Sequence, residues 1–333
     1  MTQPAEIHKI GKNIESGVAI MTKVQKFTNG ETVNLEKLSI QELYKLHYEE
    51  ESYIASATQQ LPPFSNERYE LLSEGYQFVT KLMACRHKKE FGETPQIWGA
   101  NRGTAKALIR LIKKKIADNP EKTAPVFYEI GVGLGFALGK VLEKFGASEL
   151  HVSGCDINLS QPASELSEKY PHINLTEGNA YECIQKIPDN SIDFLYSDNV
   201  FEHFFPDEAH VIYDELMKKL KPNALLFLII PNRHIGPGDI SKFFLPMGAK
   251  ATGFHLMEMS FNEVTNALKP YNVRHLHCCW YIPKVQKYIL LRCRLLIALK
   301  LRLENLLAKI PFNRLKNFLF YSGGYSISVM KKH

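Results

Sequence analysis

The sequence predicts an α/β chain: a doubly wound, mostly parallel, seven-stranded sheet with an N-terminal helical extension and a basic helical insertion before its last strand. Three observations predict it. From residue 126 onward, short apolar runs alternate with amphipathic stretches, the texture of strand–helix–strand crossovers. Between 35 and 118, apolar residues recur at helical spacing and no strand-like run occurs. Between Lys284 and Lys316, nine lysines and arginines accompany a single acid, Glu304, among many leucines.

Residues 1–34 are polar and weakly patterned, and read as a flexible arm. The helical extension spans 35–120. Ser39, with Glu42 three residues on, signals a capped helix start ahead of Leu43 and Leu46. Pro62 and Pro63 break the pattern, a second helix runs from Asn66 to His87, and a third, Thr104 to Ala117, carries Leu108, Leu111 and Ile112 on one face. The sheet domain, 121–283, has strands at Val126–Ile130, Leu150–Cys155, Ile173–Thr176, Ile192–Tyr196, Leu225–Ile230 and Val273–Tyr281. The basic amphipathic insertion covers 284–317, and 318–333 supplies the last strand at Tyr325–Met330.

An apolar fraction of 45% and a charged fraction of 23% over 333 residues suit a soluble globular enzyme. The net charge of +6 is local: 284–316 carries +8, so the remainder sums to about −2. The six cysteines form no C-x-x-C pair and the start has no apolar signal core, which predicts a reducing, cytoplasmic compartment. No run of 18 uncharged apolar residues occurs. Attachment to the inner face of a membrane therefore rests on the basic segment alone.

The sharpest motif is Phe127-Tyr-Glu-Ile-Gly-Val-Gly-Leu-Gly135, a buried strand running into a glycine turn that opens a helix. Glycines there permit a tight turn and close approach of a ligand to backbone N–H groups at a helix start. Twenty-five residues after Gly131, the second strand ends at Asp156, where a carboxylate can accept both hydroxyls of a ribose. A dinucleotide fingerprint would need its third glycine at 136, where Phe136 stands.

These residues resemble the first motifs of the class I S-adenosylmethionine (SAM)-dependent methyltransferases, proteins with a Rossmann-like sheet. The resemblance implies that Glu129, Gly131, Gly133 and Gly135 surround the methionine end of SAM, that Asp156 holds its ribose, and that Ile157 lies beside its adenine. Glu177-Gly-Asn-Ala180 resembles the segment after the third strand, giving Asn179 and Ala180 to adenine; Asn179 stands where the family commonly has Asp. Ser191–Ser197 resembles the fourth strand, with Ser197 at the cofactor, and Val200-Phe-Glu-His203 the V-x-E-H element that follows. Leu216–Pro222 with the strand after it, His255-Leu-Met-Glu-Met-Ser260 and the terminal strand complete the likeness, over roughly half the chain.

Methyl transfer requires alignment of a nucleophile behind an activated methyl group and management of one proton. A histidine suits the proton. His203 is the first candidate, His255 the second and His234 the third; the alternative is that Glu202 and His203 merely hold a helix start. His275-Leu-His277-Cys-Cys279 places potential metal ligands on one strand face, but three such residues rarely close a zinc tetrahedron without a fourth, and no metal is assigned. The expected acceptor is a small molecule or glycan-like compound, lipid-linked where the basic segment would meet it, taken at oxygen or nitrogen. An NAD(P)-dependent oxidoreductase and a non-catalytic SAM-binding or membrane-docking module stay open as alternatives. Nucleic acid is not expected, because Ser197-Asp-Asn-Val200 stands where base amino-methyltransferases carry Asn-Pro-Pro-Tyr. In the basic segment, Leu296, Leu299, Leu303, Leu306, Leu307 and Ile310 share one helical face, while Lys287, Arg294, Arg302 and Lys309 form a basic stripe. That pattern suits either an anionic membrane surface or an amphipathic helix packed on this domain or on a second subunit.

Overall fold

A computed structural model describes residues 23–92, 102–118, 123–282, 287–291, 293–309 and 325–333. The arm predicted for 1–34 lies outside these up to residue 22. Its end folds as a hairpin of β1 (Lys23–Gln25) and β2 (Thr32–Asn34), with Val24 buried.

Helices α1 (Ile40–Gln60) and α2 (Asn66–Phe91) follow. The Ser39/Glu42 capping box forms as the sequence predicts, and α2 continues to a left-handed Gly92. Helix α3 (Arg102–Ala117) leads into β3 (Val126–Ile130), α4 (Phe136–Leu142), β4 (His151–Asp156), α5 (Gln161–Lys169), β5 (Asn174–Glu177), α6 (Ala180–Gln185), β6 (Ile192–Asp198), α7 (Ala209–Lys219) and β7 (Leu220–Pro231). Then come α8 (Phe261–Leu268), β8 (Val273–Ile282), β9 (Lys287–Leu291), α9 (Arg294–Ala308) and β10 (Tyr325–Lys332).

The main sheet runs β5-β4-β3-β6-β7-β10-β8-β9. Strands β3 to β7 are mutually parallel, and β10 lies antiparallel between β7 and β8. The seven strands the sequence predicts are all present, with one more at the edge. Lys287–Leu291, expected within the basic helical stretch, pairs antiparallel with β8 instead. Its Tyr-Ile-Leu-Leu content favours a strand, and only four residues separate it from β8, the length of a hairpin connection. Residues 310–324 of the predicted insertion and final segment lie outside the described residues.

One apolar layer packs α3, α4 and α5 on one sheet face through Leu108, Leu111, Leu138, Val141 and Ala163; the other packs α6, α7 and α8 through Ile184, Ile212, Leu216 and Val264. A third core joins α1, α2 and the hairpin to Phe205, Phe254 and Leu256 of the sheet domain, so the N-terminal helices are seated on the strand ends.

The anchor of that seat is Arg68, fully buried on α2. Its guanidinium pairs with Glu208 and bidentately with Asp207, donates to the Thr58 carbonyl, and lies 4.1 Å over the Phe205 ring. Burial opposes the charge, and Asp207 and Glu208 outweigh it, so the guanidinium stands above its ordinary pKa. Glu208, also fully buried, accepts from the Phe64 N–H and the Tyr69 hydroxyl as well. Removing one partner strands the other charge. We expect Arg68→Met to lower unfolding free energy in urea by about 3–5 kcal/mol, and Arg68→Met/Glu208→Leu to recover part of that loss. A single variant within 1 kcal/mol of the parent would show that the pair is not what joins the layers.

Candidate functional site

In an open parallel sheet, ligands enter where the strand order reverses, outside the carboxyl ends of the strands. Here that point lies between β3 and β6. A cavity of about 540 Å³ opens there, lined by the glycine turn after β3 together with Glu129, Asp198, Asn199, His203, His255 and, from α2, Met83.

The turn is held rigidly. Gly131 N–H donates to the Cys155 carbonyl (2.8 Å) and Gly135 N–H to the Val132 carbonyl (2.8 Å). Asp156 Oδ2 accepts from Gly133 N–H (2.8 Å), and Ser160 Oγ donates to the Gly133 carbonyl (2.7 Å). The three glycines have different tasks. All take positive φ, but a Cβ on Gly131 would meet Val200 at 2.1 Å and one on Gly135 would meet Leu166 at 2.5 Å. A Cβ on Gly133 would meet nothing within 4 Å. Gly131 and Gly135 therefore serve packing, and Gly133 borders open space. The helix starts at Phe136, after Gly135.

Of the other sequence-predicted residues, Glu129 lines the cavity. It is 3% exposed and its Oε2 has no partner. Burial, reinforced by Asp198 and Asp156, raises its pKa well above the ordinary carboxylate range. Asp156, Ile157, Asn179 and Ala180 stand at the ends of β4 and β5, outside the cavity lining. Asp156 Oδ1 accepts from Asn158 N–H (3.1 Å), and burial raises this acid too. Ile157 packs into the core under the N-terminal helices, and Ala180 against the opposite sheet layer. Asn179 caps α6, its Oδ1 accepting from Glu182 N–H (2.9 Å).

Ser197 is 1% exposed within β6, paired between Ile130 and Leu228, and stands outside the cavity lining. Strand alternation turns it away from the face of its neighbour Asp198, which does line the cavity and which burial pushes up to about 6. The position of Asp198 at the strand's end was a signal available in the sequence. Met83 and Tyr76 left no such signal, because only the docking of α2 brings them here. Tyr76 packs edge-on to His203 at 5.5 Å.

His203 and His255 come together, ring centroids 4.9 Å apart, while His234 stays outside the lining. His203 Nδ1–H donates to the Phe254 carbonyl (2.9 Å), and burial, then the neighbouring His255, pushes its pKa down to about 3. His255 Nδ1 is 2.7 Å from Glu258 Oε1; burial opposes its charge, but Glu258 and Glu202 outweigh this and raise its pKa. Glu202 is fully buried with both carboxylate oxygens unpartnered, and burial pushes it up to about 8, against the pull of His255. On β8, His275 meets Thr265 and stacks on Phe261 at 4.6 Å, an ordinary structural role. No lysine or arginine lines the cavity among the described residues.

Residues 128–228 match the family model described as a methyltransferase domain. No curated protein matches the chain. Among solved structures, similar folds occur in Haemonchus contortus phosphoethanolamine N-methyltransferase 2 with phosphomonomethylethanolamine and S-adenosylhomocysteine (16% identical, 81% of this chain and 60% of that one, TM-score 0.48). Others are Burkholderia thailandensis 1,6-didemethyltoxoflavin N1-methyltransferase with its substrate and S-adenosylhomocysteine (12%, 69% and 89%, 0.47) and the (4+2)-cyclase SpnF (16%, 79% and 96%, 0.46). At these values the likenesses bear on no reaction.

The unequal glycines can be checked. In both Gly131→Ala and Gly133→Ala the left-handed backbone costs about 1–2 kcal/mol. Gly131→Ala adds a clash with Val200 and should lose clearly more stability in thermal or urea unfolding. Equal losses would mean the turn is not packed as described.

Proposed function

We propose that this chain, a class I SAM-dependent methyltransferase by the methyltransferase domain at its residues 128–228, moves the methyl group of SAM to an oxygen or nitrogen of a small-molecule or glycan-like acceptor met at an anionic membrane surface. The observation that carries the choice of cofactor is the charge of the cavity. Its wall holds Glu129, whose Oε2 has no hydrogen-bond partner, and Asp198, and no cationic side chain among the described residues. Such a wall favours a ligand bearing an ammonium and a sulfonium, and disfavours the pyrophosphate of a dinucleotide.

The residues present fit SAM. Glu129 offers a buried, unsatisfied acceptor, and Gly133 borders space that a side chain would fill. Glu129 receives the amino group, and the turn at Gly131–Gly135 bounds the methionine portion. Asp156 takes the ribose hydroxyls; a carboxylate has about four acceptor positions, two of them used by Gly133 and Asn158. Ile157, Asn179 and Ala180 flank the adenine, with the Asn179 amide N–H₂ as its donor. When bound, SAM supplies a methyl group already activated on a sulfonium sulfur. His203 and His255 face the acceptor and draw off its proton, His255 being the better base because Glu258 holds its Nδ1 proton and leaves Nε2 basic. The α2 residues Met83 and Tyr76 shield this side from water.

The membrane part rests on α9. Glu304, 3% exposed, accepts from Asn232, from the backbone N–H groups of Phe261 and Asn262 and from the Asn262 side chain at the start of α8. With Ile297 buried beside it, this turns the leucine face outward: Leu295 is 75% exposed and Leu306 61%, with Leu296, Leu299 and Leu303 also exposed. The leucines therefore do not pack on this domain's own core, and they are free to meet a membrane surface or a second subunit. Arg302 on the same helix and Lys309 just past its end are exposed, where cationic chains beside an apolar stripe suit acidic head groups. No helix among the described residues is long and apolar enough to cross a membrane.

SAM at 100 times its dissociation constant should add about 2.7 kcal/mol to stability, seen as a melting shift, and NADH should add nothing. Asp156→Ala should weaken SAM binding by roughly 1–3 kcal/mol. A shift with NADH and none with SAM overturns the reading. In flotation with phosphatidylserine-containing vesicles at low salt the protein should co-float, each basic residue contributing about 1 kcal/mol. Leu299→Asp/Leu303→Asp should stay behind. A parent that ignores the vesicles, or a variant that floats equally, removes the membrane from the proposal.

A further inference from the structure

We propose that Glu202, His203 and His255 form a binding site for one divalent first-row transition-metal ion, open toward the acceptor side of the cavity. One ligand atom from each residue lies within 4.8 Å of the other two, and His255 Nε2 is 3.9 Å from Glu202 Oε1. An ion with bonds of about 2.0–2.2 Å spaces its ligand atoms roughly 3.0–3.5 Å apart, so small side-chain rotations close the set.

The cluster is built as a site in two respects. Glu202 is fully buried and both its oxygens lack a partner; a buried carboxyl without partners is costly unless something else satisfies it. Each imidazole also has its Nδ1 engaged from behind, His203 by the Phe254 carbonyl and His255 by Glu258, so that Nε2 is the nitrogen to meet a ligand, with the Asn199 backbone beside that of His203. An outer carbonyl or carboxylate on the second ring nitrogen is the arrangement that fixes tautomer and orientation in metal-binding histidines. Glu258 is itself held by Gly238 N–H (2.5 Å), and Met257 N–H donates to the Glu202 carbonyl (2.8 Å), joining the two segments that carry the ligands.

Two imidazoles and one carboxylate select zinc, manganese, iron or cobalt over calcium or magnesium, which prefer all-oxygen sets. Both histidines line the cavity, so the remaining coordination positions face an incoming acceptor. This placement rests on the methyltransferase reading; the binding of the ion does not. An acceptor hydroxyl at an open position has its pKa lowered by the ion. It loses its proton to water, its oxygen forms the new O–CH₃ bond, and the electrons of the S–CH₃ bond stay on sulfur, which leaves as a neutral thioether. In the metal-free protein the imidazoles serve as bases as described above; with the ion bound they act through it.

The test uses the full chain, stripped with chelator and titrated calorimetrically with Mn²⁺ and separately with Zn²⁺, with Co²⁺ absorbance as a report on ligand geometry. One ion per chain is expected. Glu202→Gln and His255→Ala should each weaken it at least a hundredfold, and Glu258→Gln, outside the ligand set, by about 10–100-fold. Unchanged SAM affinity in the variants shows that the pocket is still folded. A stripped parent that takes up no ion, or a Glu202→Gln isotherm matching the parent's, overturns the proposal. Because no turnover is needed, an ion bound by a protein that transfers no methyl group counts against the methyltransferase reading alone.

Discussion

The buried guanidinium of Arg68 is the interaction on which the shape of the site depends. It is reached by two acids from the segment before α7 and by the carbonyls of Thr58 and Gln59 at the end of α1. A charge so far from water requires nearly all of these partners at once. That requirement couples the position of α2 to the sheet domain more tightly than apolar packing alone, which tolerates sliding. Met83, which lines the cavity, and Tyr76, which packs on His203, are both carried on α2 and placed by it. A second polar tie serves the same end: Glu51 on α1, itself paired with His47, accepts from Phe254 N–H, the residue whose carbonyl orients His203.

Inside this enclosure the charges are arranged against their own stability. Glu129, Asp156, Asp198 and Glu202 all have raised pKa values, burial being the largest cause for each. Folded alone, the protein tolerates carboxyl groups where ionisation is disfavoured. A cationic ligand reverses that cost, because an opposite charge in a low-dielectric cavity restores the ionised form. The concentration of such groups around one crevice, with few elsewhere, is what a binding site for cations requires.

The basic segment shows how a single polar residue orients an amphipathic helix. Periodicity placed the leucines of α9 on one face but left open whether that face looked inward. Glu304, the only acid between 284 and 316, lies on the free N–H groups that begin α8. A carboxylate at a helix start is favoured both by hydrogen bonds and by the helix dipole. Burying it there obliges the leucines to face outward.

Much of the fold was legible because its causes are local. Alternation of apolar runs, the Ser39 capping box and the glycine turn after β3 act over a few residues, and each forms where the sequence puts it. The resemblance carried by Glu129 to Gly135 and by Asp156 located the crevice for the same reason: strand ends and turns are adjacent in sequence. What the tertiary structure decided depends on residues distant in the chain. Ser197 and Asp198 are neighbours, yet only the sheet's orientation tells which side chain meets the cavity. His203 and His255 are 52 positions apart, and Glu202 becomes unpartnered only when both segments are buried together. The edge strand at Lys287–Leu291 exists through pairing with β8, an interaction that composition read as a basic helix could not reveal.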